Sequence, residues 1–137
     1  MRRRKRGRAL GRRYGRALYR PMRPASDGRP ECGCASNRLG VRPRDIRMRE
    51  DGTVRPEREG MSVNADPMKL PPSLRPRSLG GSGKLPLYEI EPAALGIDLS
   101  LAPSEPHAHA IVQPARVMHI AEYQSALCRT RPAWSKT

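Results

Sequence analysis

Phenylalanine is absent from the 137-residue chain and tryptophan occurs once, at Trp134. Any core must then be built from Leu, Ile, Val, Met and the four tyrosines. Hydrophobic residues make up only 36% of the chain, below the roughly 45–50% of an ordinary globular protein. No apolar run approaches the ~18 residues that mark a membrane-spanning helix, so no membrane partner is expected. The basic N-terminus is not followed by an apolar segment of about 7–15 residues, which argues against an ordinary secretory signal. Cysteine is scarce and odd in number (Cys32, Cys34 and Cys128), a count that argues against a disulfide framework and for a reducing, cytoplasmic setting. Acid is missing from the first twenty positions. A chain of this length holds one domain at most.

What is abundant is positive charge, proline and glycine. The formal net charge is +14, and ten of the 27 basic residues fall within the first twenty positions, leaving 17 basic against 13 acidic residues beyond them. The block Arg2, Arg3, Arg4, Lys5, Arg6, Arg8, Arg12 and Arg13 repels itself, so residues 1–16 read as a disordered arm. Such an arm binds nucleic acid or ribosomes through phosphate without sequence preference. Only Tyr14 and Tyr19 stand near these arginines to stack on bases, so the same composition fits a plain solvated tail.

The remainder is organised around residues 60–90. Met61-Ser62-Val63 reads as a short strand with Ser62 opposite its apolar neighbours. Pro67, Pro71, Pro72 and Pro76 form a stiff crossing, Gly80, Gly81 and Gly83 a flexible turn, and residues 85–91 a strand. Punctuation of this density places a loop-heavy β-rich domain here. The turn does not make a phosphate loop: G-x-x-x-x-G-K-[ST] needs glycine at Ser78 and Ser or Thr at Leu85.

Around this centre, residues 16–20 predict a first strand with Leu18 and Arg20 on one face, Tyr19 on the other and Pro21 ending it. Residues 21–40 are loop by composition, and Asp51-Gly52 marks a hairpin turn between Ile46/Met48 and Val54. A single helical turn over Ala93, Ala94 and Leu95 closes at Gly96 and is followed by a strand over residues 97–101. His107 and His109 fall on one face of an extended strand that runs through Ile111 and Val112 to Pro114. Two imidazoles, with Cys32-Gly33-Cys34, His119 and Cys128 elsewhere, do not assemble a four-ligand set, and no metal is expected. From Met118 to Arg129, the recurrence of Ile120, Tyr123, Ala126 and Leu127 predicts an amphipathic helix stopped by Pro132. Trp134 is expected to fold back as a core plug.

Three pieces in order, ALYR (17–20), GMSV (60–63) and HAIVQPARVM (109–118), resemble small bacterial proteins related to an ADP-ribosyltransferase-like toxin delivered by type VI secretion. The resemblance spans residues 17–134 and leaves 135–137 as a short tail. It implies an α+β fold, a small split-β-sheet ADP-ribosyltransferase-like domain with few short helices, around a cleft for NAD as substrate. In that family an arginine ends the first strand and reaches the dinucleotide, which Arg20 matches. A hydroxyl-bearing strand braces the cleft, which Ser62 matches, with Met61 where the toxin has a hydroxyl residue. A histidine on a later strand completes the site, which His109 matches. The resemblance thus assigns Ser62 and His109 to catalysis and Arg20, Ser62 and His109 to NAD.

The chemistry is compatible, since an arginine fork suits pyrophosphate while hydroxyl and imidazole groups orient a ribose. Glycosidic cleavage usually employs a carboxylate, and the strand of His109 offers only Gln113. Glu89, Glu91 and Glu122 are the substitutes. The resemblance implies an antidote protein as partner and predicts that Arg20→Ala and His109→Ala abolish toxicity without unfolding the domain. The competing reading is a non-enzymatic nucleic-acid- or ribosome-associated protein that works through its basic arm.

Overall fold

A computed structural model of the protein describes residues 17–104 and 108–137. The described residues contain eight short strands, one α-helix and five short 3₁₀ turns, joined by turns and irregular chain. The result is a small mixed α+β fold, mostly antiparallel sheet with one helix. The strands are β1 (Leu18–Pro21), β2 (Thr53–Val54), β3 (Met61–Asn64), β4 (Leu87–Ile90), β5 (Leu99–Pro103), β6 (His109–Pro114), β7 (Met118–His119) and β8 (Ser135–Lys136). The helix α1 spans Ile120–Arg129. Six strands form one sheet in the order β5-β6-β3-β1-β4-β8, every neighbouring pair antiparallel, while β2 and β7 form a separate ribbon.

Alternation along the strands places the core. In β1, Leu18 and Arg20 are buried between half-buried Tyr19 and Pro21, as the period of two requires. Leu18, Met61, Val63, Ile90, Ala110 and Val112 belong to one buried cluster, which α1 joins through Tyr123, Ala126 and Leu127. Helix and sheet are also bonded. The Tyr123 hydroxyl donates to the Val112 carbonyl and accepts from the Met61 amide. This contact demands Gly60, where φ is +147° and a Cβ would lie 2.3 Å from the tyrosine oxygen.

The helix begins at His119, whose Nδ1 accepts from the Ala121 amide at 3.1 Å. It ends at Arg129, ahead of Pro132, which opens the 3₁₀ turn Arg131–Ala133. Thr130 then ties the helix end to Trp134. Its hydroxyl donates to the Leu127 carbonyl and accepts from the indole N–H at 2.9 Å. Trp134 is fully buried, so the expected plug is in place. The anchored indole delivers Ser135 and Lys136 to the sheet edge beside β4, where they form β8; these residues are therefore not a free tail.

The expectations about cysteine need correcting. Cys32 and Cys128 form a disulfide between residues 96 apart in sequence, with Cα atoms 5.7 Å apart, and Cys34 is the free thiol. An odd count excludes only complete pairing, and sequence distance says nothing about which thiols the fold brings together.

Four local expectations also change. Asp51-Gly52 does turn, with the Asp51 carboxylate capping the Thr53 amide at 3.0 Å, but β2 pairs with β7 instead of folding back onto residues 46–48. The strand expected over 97–101 starts at Leu99, because Gly96 is left-handed and Ile97 is 93% exposed. The glycine-rich turn is not a loose one. The amides of Gly81, Ser82 and Gly83 donate to the carbonyls of Pro76, Pro72 and Arg75, and a Cβ on Gly81 would meet the Arg75 oxygen at 2.0 Å. The backbone before β6 is not extended at Ala108, where φ is +64°, so the shared face inferred for His107 and His109 loses its basis. His107 itself lies outside the described residues.

A cleft over the central strands as the candidate functional site

The register of the sheet sets the site. Tyr19 on β1 lies opposite Asn64 on β3, and Asn64 lies opposite His109 on β6. On its other side Tyr19 faces Glu89 on β4, which faces Ser135 on β8. Directly opposed residues of an antiparallel sheet project to the same side. One row, His109–Asn64–Tyr19–Glu89–Ser135, therefore crosses five strands on a single face. Ser62, two residues before Asn64, projects to that face too.

A cavity of about 380 Å³ opens over β1, β3 and the start of β6, and Tyr19, Arg20, Arg42, Ser62, Asn64 and His109 are among its lining residues. Its size falls in the range of small-molecule sites. Among the described residues two arginines line it, and no carboxylate does. A neighbouring hollow of about 630 Å³ shares Tyr19 and holds Glu89 and Glu91. Tyr19 thus lines both the arginine-lined cavity and the acidic hollow.

Arg20 is the unusual residue. On the buried face of β1 it is only 6% exposed, and among the described residues no carboxylate pairs with it. Its guanidinium is held by backbone carbonyls: Ser36 at 2.9 Å, Arg38 at 2.8 Å, Ser62 at 2.8 Å and Gly40 at 3.4 Å. Nε gives a further bond to the Arg38 carbonyl at 3.1 Å, and Nη1 reaches the Ser62 hydroxyl at 3.4 Å. Every guanidinium N–H is engaged inside the protein. Three of the carbonyls belong to the segment 36–40, whose Ser36 and Asn37 also line the cavity. The Cys32–Cys128 bridge and the Gln124 side chain, bonded to both the amide and the carbonyl of Val41, hold this segment against α1.

Electrostatics follow from burial. Desolvation draws the Arg20 pKa down to about 10, a fall opposed by Tyr123 and Asp45 and assisted by the charge of Arg42. Burial also lowers the pKa of His109 below its ordinary value, so the imidazole is neutral near pH 7 and has a proton donor and an acceptor to offer. Tyr19 titrates above its ordinary value, chiefly through desolvation, then through Glu89 and Asp66. The phenol stays protonated.

Arg20, Ser62 and His109, named from three separate stretches, meet at one cavity. The proposed stand-ins for a carboxylate do not join them. Gln113 lies at the far end of β6, where it accepts from the Arg58 amide at 2.9 Å and donates to the Ser100 hydroxyl at 3.0 Å. Glu122 is paired with Arg116, and Glu89 and Glu91 line the neighbouring hollow. Tyr19, Asn64 and Arg42 line the cleft without having been singled out. Parity alone would have found Asn64, two residues beyond Ser62 on the same strand. The basic residues Arg2, Arg3, Arg4, Lys5, Arg6, Arg8, Arg12 and Arg13 lie outside the described residues. Among the described residues no cluster of three or more His, Cys, Asp or Glu is arranged to hold a metal ion, and no helix is long and apolar enough to cross a membrane. No family model, curated protein or solved structure matches the chain.

Proposed function

We propose that the domain is an ADP-ribosyltransferase-like toxin that binds NAD in the cleft over β1, β3 and β6 and transfers ADP-ribose to a bacterial cytoplasmic target. The observation that carries this reading is the convergence of Arg20, Ser62 and His109 on one cavity that, among the described residues, is lined by two arginines and no carboxylate. Such a lining favours an anionic ligand.

In this reading the Tyr19 ring is the platform for the nicotinamide, and Ser62 and neutral His109 hydrogen-bond the attached ribose. The bond from the ribose anomeric carbon to the nicotinamide nitrogen breaks, nicotinamide leaves with the electron pair, and a nucleophile of the target replaces it while losing a proton. The transition state is oxocarbenium-like and needs stabilisation by oriented dipoles. Among the described residues of the cleft, the Ser62 hydroxyl and the His109 imidazole supply these. An antidote that covers the cleft would silence the protein in its own cell.

The test is growth of a bacterial host on induced expression of the full chain, with NAD affinity measured on the purified protein. His109→Ala and Ser62→Ala are the informative variants, because both leave the Arg20 bonds to backbone carbonyls in place; Ser62→Ala gives up only the long contact of its hydroxyl with Nη1 at 3.4 Å. Growth arrest by the wild type, relieved in both soluble variants together with NAD binding, is the expected result. Equal growth in all three strains at equal soluble yield would overturn the reading.

A further inference from the structure

Two arginines line the cleft, and they differ in what they have left to give. Arg20 has committed all its N–H groups to carbonyls and one hydroxyl. Arg42 has not. Its Nε donates to Asp45 Oδ2 at 2.7 Å and its Nη2 to Asp45 Oδ1 at 3.2 Å, a side-on pairing that uses one flank of the guanidinium. Among the described residues Nη1 meets no acceptor, so the end-on fork of Nη1 and Nη2 retains donors. The side chain remains 39% exposed.

The chain builds this arrangement locally. Arg42 caps the 3₁₀ turn Pro43–Asp45, Pro43 fixes the first turn residue, and the Asp45 amide returns to the Arg42 carbonyl at 2.9 Å. The Asp45 carbonyl in turn accepts from the Gly60 amide at 3.1 Å, just ahead of β3. The carboxylate thus stands behind the guanidinium and aims it, and an aimed arginine fork loses little freedom on gripping a planar or tetrahedral oxyanion.

Resting on the NAD reading above, we infer that Arg42, aimed by Asp45, is the residue of this cleft that grips the phosphate oxygens of its ligand, while Arg20 holds the cleft wall together and contributes only its field. The ligand class is a phosphate ester or anhydride. The buried charge of Arg20 adds to the attraction without making a direct contact.

The experiment titrates inorganic pyrophosphate, NAD and nicotinamide riboside into the full-length protein, following the His109 imidazole resonance, with Arg42→Ala, Arg42→Lys and Arg44→Ala compared. Arg44 is exposed and adjacent in sequence but does not line the cleft. Pyrophosphate is expected to shift the His109 signal in the wild type and in Arg44→Ala, to bind at least tenfold more weakly to Arg42→Ala, and to recover in part with Arg42→Lys. Nicotinamide riboside, which lacks phosphate, is expected to be indifferent to Arg42. Pyrophosphate binding that is undetectable in the wild type, or equal in Arg42→Ala, overturns the inference. If NAD binds with the same affinity to wild type and Arg42→Ala, the NAD reading survives and the role of Arg42 falls. If pyrophosphate needs Arg42 but NAD neither binds nor competes, the phosphate site stands and the NAD reading falls.

Discussion

Replacing Arg20 with methionine keeps the length and apolar stem of the side chain and removes its charged head. The carbonyls of Ser36, Arg38 and Ser62 lose their short bonds, Arg38 losing two, and the longer contacts to the Gly40 carbonyl and the Ser62 hydroxyl go with them. A buried acceptor left without a partner costs about 1–3 kcal/mol, so three of them set a gross loss of about 3–9 kcal/mol. Part is returned because the variant no longer keeps a cation out of water, the same burial that brings the Arg20 pKa down to about 10. The net expectation is a loss of about 3–5 kcal/mol, within the lower part of that gross range. Against a total stability of about 5–15 kcal/mol, the variant is close to unfolding. Urea denaturation followed by Trp134 fluorescence measures this directly. Arg20→Lys, which keeps the charge but has three donors in place of five, should fall in between. A midpoint for Arg20→Met that implies less than about 1 kcal/mol of loss would refute the view of Arg20 as the keystone of the cleft wall. On this view Arg20→Ala abolishes function by unfolding, and it does not test NAD contact.

Three further outcomes are expected. Cys32→Ser/Cys128→Ser should lose about 4.7 kcal/mol on the chain-entropy model for a loop of ~100 residues, given the sequence separation of 96; denaturation beside peptide mapping of the oxidised protein checks this, and a Cys34-containing pair would contradict it. Trp134→Ala should cost about 3–5 kcal/mol, since the indole is fully buried and bonded to Thr130, and amide exchange at β4 should rise as β8 detaches. For His109, burial lowers the folded pKa, so on acidification the unfolded chain takes up the proton first. Stability should be undiminished by this group above the ordinary imidazole pKa and should fall as pH drops through that value towards the lower folded one. An imidazole NMR titration with a midpoint at or above about 6.5 would contradict the assignment.

Local chemistry was readable in this chain wherever one residue type forces one conformation. The alternation of Leu18, Tyr19 and Arg20, the apolar stripe of Tyr123, Ala126 and Leu127, and the turn at Asp51-Gly52 follow from backbone geometry within a few residues, and all three are present. Pairings between distant segments were not readable. Nothing near Thr53 says that its partner is His119, and nothing near Cys32 points to Cys128. The candidate site divides the same way. Each motif residue could be named from its own strand, but the row that sets Tyr19 between Asn64 and Glu89 exists only once β1 lies between β3 and β4. Arg42 carries no motif in its surroundings, Val41, Pro43 and Arg44; its distinction is the carboxylate three residues on.

The bridge between Cys32 and Cys128 also changes what kind of object the oxidised chain is. It is a closed ring from Cys32 to Cys128, with chain leading away from it on either side. A linear chain, once unfolded, passes end first through any opening wide enough for one strand. A ring cannot: it has to enter as a doubled strand, or be opened by a reductant first. Any machine that moves this protein by pulling on an end, whether to export, import or degrade it, therefore meets the disulfide as a physical stop.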